Sequence, residues 1–240
     1  MVQLPDLSQR SPLNFDIGPG WIVAFVALVF VHIELHEIAH TAVGRMICGE
    51  WGPRNFNSWQ TACSPIPEIV LAPLAGLVFS YGLMWVGYLL LAPDNPSERR
   101  SIGFCLVFGA LPLGRVYTVG VLGGGDEMVI LTGAFPSVDT SLLTAVGLVL
   151  VLLLVGPPLY RAFTTLSNRR RGVIFVALFL FPYVLFEVGI QGIANPLLAR
   201  GVLDSEGLLG SPLLVNVWTV FWVITLAASW RFLPSTLHQR

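Results

Sequence analysis

Residues 36–40 read His36-Glu37-Ile38-Ala39-His40, an HExxH pattern set inside an apolar run, residues 20–46, that is long enough to cross a bilayer as a helix. On a helix, residues four apart lie almost above one another, so two imidazoles point at one place with a carboxylate beside them. That is the arrangement of a zinc site with a built-in general base: His36 and His40 as ligands, Glu37 as base. An ionisable side chain at bilayer depth costs roughly 2.5 to 3.5 kcal/mol on insertion scales. The same helix also carries His32 and Glu34, so something must compensate. A bound metal and a wet cavity would.

The rest of the chain is equally apolar. Of 240 residues, 55% are hydrophobic and only 11% charged, whereas a soluble domain has nearer a quarter charged. Stretches of about 20 apolar residues fall at 20–44, 66–91, 102–122, 142–160, 172–193 and 212–230, which predicts an all-α membrane protein of six transmembrane helices. The first is too long and too rich in ionisable groups to be a signal-peptide core, so it is expected to stay in the chain. Turn signals mark the joins at Pro93-Asp94-Asn95-Pro96, Ser167-Asn168 and Asn195-Pro196. No polar linker or repeat divides the sequence, and 1–240 reads as one polytopic domain, with helices 1–3 in 1–127 and helices 4–6 in 128–240. No basic patch with interleaved aromatics suggests nucleic acid. The partner implied by composition is the lipid bilayer.

Every basic residue is Arg. Nine of them (Arg10, Arg99, Arg100, Arg161, Arg169, Arg170, Arg171, Arg231, Arg240) fall in the segments that six spans place on the side of the termini, against Arg45, Arg54 and Arg200 on the other. Short cytoplasmic loops are Arg-rich, so both termini are expected in the cytoplasm, in a plasma or inner membrane. Cys48 and Cys63 share the first loop and can pair if it faces an oxidising compartment. That loop, residues 45–65, has Gly, Pro, Asn and Ser among Trp51, Phe56 and Trp59. It reads as a short hairpin at the interface with its tryptophans in the headgroup layer.

The histidines lie toward the C-terminal end of the first helix, so a third ligand must come from the same face, where odd-numbered helices end. The third span leads into Leu122-Gly123-Gly124-Gly125-Asp126-Glu127. Asp126 is the first choice and Glu127 the alternative, each weighed against an ordinary solvated turn carboxylate. His32 is one turn before His36, but about 12 Å of helical rise separates positions 32 and 40 while Zn–N bonds are about 2 Å. It therefore stands behind the ligands or serves as a bundle histidine satisfied by hydrogen bonds. Glu187, Gln191 and Asn195 form a second polar stripe, suited to interhelical hydrogen bonds or a substrate path. Arg115 is expected to snorkel or to pair with an acid. Tyr81 and Trp85 read as packing.

An HExxH in a membrane helix, followed two helices later by a Gly-Asp element, resembles the site-2 protease family of intramembrane zinc metalloproteases. The similarity runs over residues 32–127. It implies a three-helix core, zinc held by His36, His40 and Asp126, Glu37 as base, and hydrolysis of a peptide bond in or near a transmembrane segment of another membrane protein. Ala72-Pro73-Leu74-Ala75-Gly76 has Gly76 where the family's middle helix carries Asn. Gly109-Ala110-Leu111-Pro112-Leu113-Gly114 is similar to the family's NxxPxPxLDG element, with Tyr117 in the place of its Asp, so that Asp126 arrives nine residues later. The family's sites open near the cytosol, whereas the Arg distribution points to the outer face. Two other readings stay open: a protease-like accessory or structural subunit of a membrane complex that cleaves nothing, and a redox metal protein using the His32, His36 and His40 stripe.

Overall fold

The computed structural model describes residues 13–63 and 70–238. Arg10, Arg240 and the expected start of the second span at residue 66 lie outside the described residues. Among the described residues six helices are long and apolar enough to cross a membrane, consistent with a multi-pass membrane protein. Residues facing outward from the later spans, such as Leu153, Val173, Val220 and Ile224, are exposed and apolar, which suits lipid as the solvent.

Helix α1 (Pro19–Cys48) is the central element, packed against α2 (Leu71–Leu90), α3 (Ser97–Gly109), α7 (Arg171–Leu185) and α9 (Leu213–Ser229). It starts on Pro19, whose missing N–H costs nothing in a first turn. It stops at Gly49 with φ 80°, where the cap N–H returns to Arg45 O. At 1.5 Å per residue, His36 and His40 are about 26 and 32 Å along it, in the half remote from the chain ends.

The third span is not one helix. It runs as α3 and then α4 (Pro112–Gly120), broken at Leu111, which takes φ 54°. The residue before a proline is pushed out of the α region, and Pro112 offers no N–H to continue the ladder. Asp126 opens a separate short helix, α5 (Asp126–Ala134). The division expected at residue 127 therefore falls inside an element, because the glycines that end the third span return the chain straight into helix. Helix α6 (Thr140–Thr165) follows, capped by the Asp139 side chain.

The fifth span is longer than expected. Helix α7 passes into a π stretch, Phe186–Ala194, and then α8 (Asn195–Ala199). Asn195-Pro196 does not end it, since Pro196 sits in the first turn of α8, where no donor is needed. The first and last described strands meet: β1 (Asn14–Phe15) pairs antiparallel with β2 (Leu237–His238), so both lie on one face of the bundle. Asn168, at the α6–α7 turn, clasps the same ribbon through both Phe15 N and Phe15 O.

The first loop does form a hairpin, with Arg54 bridged to Trp59, and it is closed by a Cys48–Cys63 disulfide. It packs inward, against α1 and α9. Arg54 forms a buried ion pair with Glu34 of α1, Phe56 packs on Trp218 of α9, and the Trp59 ring stacks on His40 with centroids 4.6 Å apart. The buried carboxylate of Glu34 supplies the reason: it needs a cation, and the hairpin brings one inward.

Candidate metal centre

His36 and His40 sit one turn apart on α1, and α2 holds each ring from behind. His36 Nδ1 is 2.8 Å from Gly76 O, and His40 Nδ1 is 2.7 Å from Ala72 O. A carbonyl oxygen only accepts, so each Nδ1 carries the ring proton and each Nε2 presents a lone pair. The two Nε2 atoms are 3.0 Å apart. Asp126 Oδ2 stands 3.1 Å from one and 3.3 Å from the other.

Two lone pairs and a carboxylate oxygen at this spacing repel one another, and a cation among them removes the repulsion. Tetrahedral donors about 2.0–2.1 Å from a zinc ion lie roughly 3.3 Å from each other, so both the donor types and the spacing fit. The ligand atoms of His36, His40 and Asp126 all fall within 4.8 Å of one another, and the three could hold a metal ion.

Asp126 reaches the histidines because of the glycine run before it. Gly123 and Gly125 take φ of 61° and 86°, in the left-handed region that side chains resist, and reverse the chain into α5. Burial by itself would raise the pKa of Asp126. The charge of Arg115, whose Nη1 is 3.2 Å from Oδ2, opposes that and favours the carboxylate. Glu127, the alternative ligand, is turned away: Tyr81 donates its hydroxyl to Glu127 Oε1 at 2.7 Å.

Arg115 pairs with acid, one of the two roles expected of it, and its place is inside the site. Nη1 is 3.2 Å from Asp126 Oδ2 and 3.9 Å from Glu127 Oε1, while Nη2 is 3.0 Å from His36 Nε2. His32 lies behind: its Nε2 is 3.1 Å from Ser80 Oγ, which is 2.9 Å from His36 Nδ1. His32, His36 and His40 thus do not converge as one ligand set, in keeping with the helical rise between them.

Glu37 is buried, and its Oε2 has no hydrogen-bond partner among the described residues. It lines a cavity of about 470 Å³ with His36, Trp59, Arg115, Asp126 and Glu187. A cavity of several hundred Å³ with a few convergent polar groups has the dimensions of a ligand site. The polar stripe of the fifth span meets the cavity and the hairpin. Glu187 and Gln191 line the cavity, and Asn195 donates to Gln191 Oε1 and to Asn57 Oδ1 of the hairpin.

Four contributors were not expected from the sequence: Gly76, Ser80, Trp59 and Tyr81. A Cβ at Gly76 would overlap both imidazoles, so the close approach of α2 to α1 depends on its absence. A signal for two of the four was present, since Ala72, Gly76 and Ser80 are small residues spaced by four on one helix face. Trp59 and Tyr81 carry no such pattern. Trp85, expected as packing, donates its indole N–H to Leu154 O.

Comparison of the chain with protein-family models, with curated proteins and with solved structures finds no match.

Proposed function

We propose that the chain is an intramembrane zinc metalloprotease, a relative in mechanism of the site-2 proteases, cutting a peptide bond in or near a transmembrane segment of another membrane protein. The observation that carries this reading is the pair of proton-free Nε2 atoms converging with Asp126 Oδ2 beside a cavity that also holds Glu37. His36, His40 and Asp126 are the ligands. The chemistry that zinc supplies when bound is Lewis acidity toward a carbonyl and a water pKa lowered toward about 7.

The protein's own groups do the remaining work. Glu37 accepts a proton from the attacking water and returns it to the leaving amine nitrogen. The carbonyls of Ala72 and Gly76 fix the tautomer and aim of both rings. Trp59 covers His40 and keeps the hairpin side closed. Arg115 holds Asp126 in place and brings positive charge to the cavity wall. In this reading both termini are cytoplasmic and the site lies toward the outer face, where the Cys48–Cys63 disulfide is stable.

Substituting Glu37→Gln tests the assignment. On a membrane-protein substrate that the wild type cuts, the variant loses cleavage by a factor of at least about 100, the lower range for a general base, while binding zinc at unchanged stoichiometry. Turnover at the wild-type rate would remove Glu37 from the chemistry.

One observation favours a second reading, an accessory subunit without catalysis. The Arg115 guanidinium, 3.0 Å from His36 Nε2 and 3.2 Å from Asp126 Oδ2, can neutralise the cluster by itself. The metal content of the purified protein separates the two.

A further inference from the structure

Glu187 lines the cavity beside the metal centre but is not one of the three residues that could hold the ion. It belongs to the span Arg171–Ala199 and lies about 24 Å beyond Arg171 at 1.5 Å per residue, well within bilayer depth. An acidic side chain at that depth is expensive, faces a bundle interior or a wet cavity, and marks a path for substrates or ions. Glu187 is exposed to the cavity, and the group that answers it within the chain is neutral: the Tyr183 hydroxyl, one turn earlier, donates to it. Among the described residues no basic side chain forms an ion pair with it. Arg115 is the one Arg among the described residues of the cavity wall, and it is engaged by Asp126 and Glu127.

The backbone keeps Glu187 in this position. It is the second residue of the π stretch Phe186–Ala194, a rare winding that gathers at functional sites. Gly189 and Ile190 are buried, and the Phe30 ring of α1 stands where a Cβ on Gly189 would be, so that side of the stretch is pressed against α1. Glu187 and Gln191, about one turn apart, both reach the cavity. The cavity thus holds a carboxyl group that the protein leaves without a cation, next to the residues assigned to peptide hydrolysis.

We propose that Glu187 is a specificity residue, selecting a substrate segment that carries a Lys or Arg side chain near the bond to be cut. This rests on the protease reading of the same site. A cation and a carboxylate that are each costly at this depth offset one another when they meet, so the pair discriminates against a segment with an apolar or acidic residue in that place.

The test uses the full-length protein in neutral detergent and three synthetic hydrophobic peptides of about 20 residues, a bilayer-spanning length, alike except for a single central Lys, Leu or Glu. Binding is measured on immobilised Glu37→Gln protein, so that cleavage does not interfere, and cleavage is followed by mass spectrometry with the wild type. The Lys peptide should bind about tenfold more tightly than the other two, the scale of one charge-assisted hydrogen bond. Adding Glu187→Gln should erase the preference and Glu187→Lys should turn it toward the Glu peptide, both with unchanged zinc content. Glu50→Gln, an exposed acid outside the cavity wall, should leave the preference intact. Equal binding of the three peptides, no binding of any, a preference that survives Glu187→Gln, or one lost in Glu50→Gln would each overturn the proposal. Lys-selective binding that depends on Glu187, with none of the peptides cut by the wild type, would uphold the selectivity and count against the protease reading alone.

Discussion

At Gly76 the backbone of α2 passes so near α1 that one added methyl group would overlap the imidazoles of His36 and His40. Gly76→Ala should therefore rotate the rings off their carbonyl partners and lower zinc affinity by about 10–100-fold, the range for losing a metal ligand's outer support. A chelator competition on the purified variant measures this, with circular dichroism expected to show unchanged helix content; an unaltered affinity would mean that the rings are aimed by something else. The ion pair of Glu34 and Arg54 is the other single-residue dependency, because both side chains are buried. Arg54→Met strands the carboxylate and should cost about 3–5 kcal/mol of stability, most of it recovered when Glu34→Leu is added, since the penalty lies in the unpaired charge. Denaturant titration in detergent gives both values.

Among the elements, the hairpin depends most on contacts beyond its own sequence. It is tied at Cys48–Cys63, at Arg54 and at Phe56. The bridged residues are 15 apart, a separation for which loop closure predicts about 3 kcal/mol. Cys48→Ser with Cys63→Ser should lower the thermal midpoint measurably, and a reductant should do the same to the wild type only. The six spans were legible because length and hydropathy over about 20 residues suffice. His36 and His40 were legible from helical spacing, and Asp126 from counting which helix ends share a face. The break at Leu111 has a local cause in Pro112, although hydropathy runs on across it. The π stretch Phe186–Ala194 and the inward stacking of Trp59 were not legible, since both are decided by packing between elements far apart in sequence.

For the whole molecule, the β1–β2 ribbon puts both described chain ends on one face, and the metal centre lies toward the other. The excess of Arg on the ribbon side predicts that this side is cytoplasmic. Single cysteines at Asp94→Cys and Ser137→Cys, in a background without the native three, should react with an impermeant thiol reagent on intact cells only at position 137; labelling at position 94 alone would reverse the orientation. The central claim is that the intact chain binds one zinc ion through His36, His40 and Asp126. Elemental analysis of the full-length protein purified without added metal or chelator tests it most directly. One zinc per chain is expected in the wild type, about one in Glu37→Gln, and almost none in His36→Ala or Asp126→Ala. A wild-type protein that is folded and free of metal, or an Asp126→Ala variant that keeps full zinc, would contradict it.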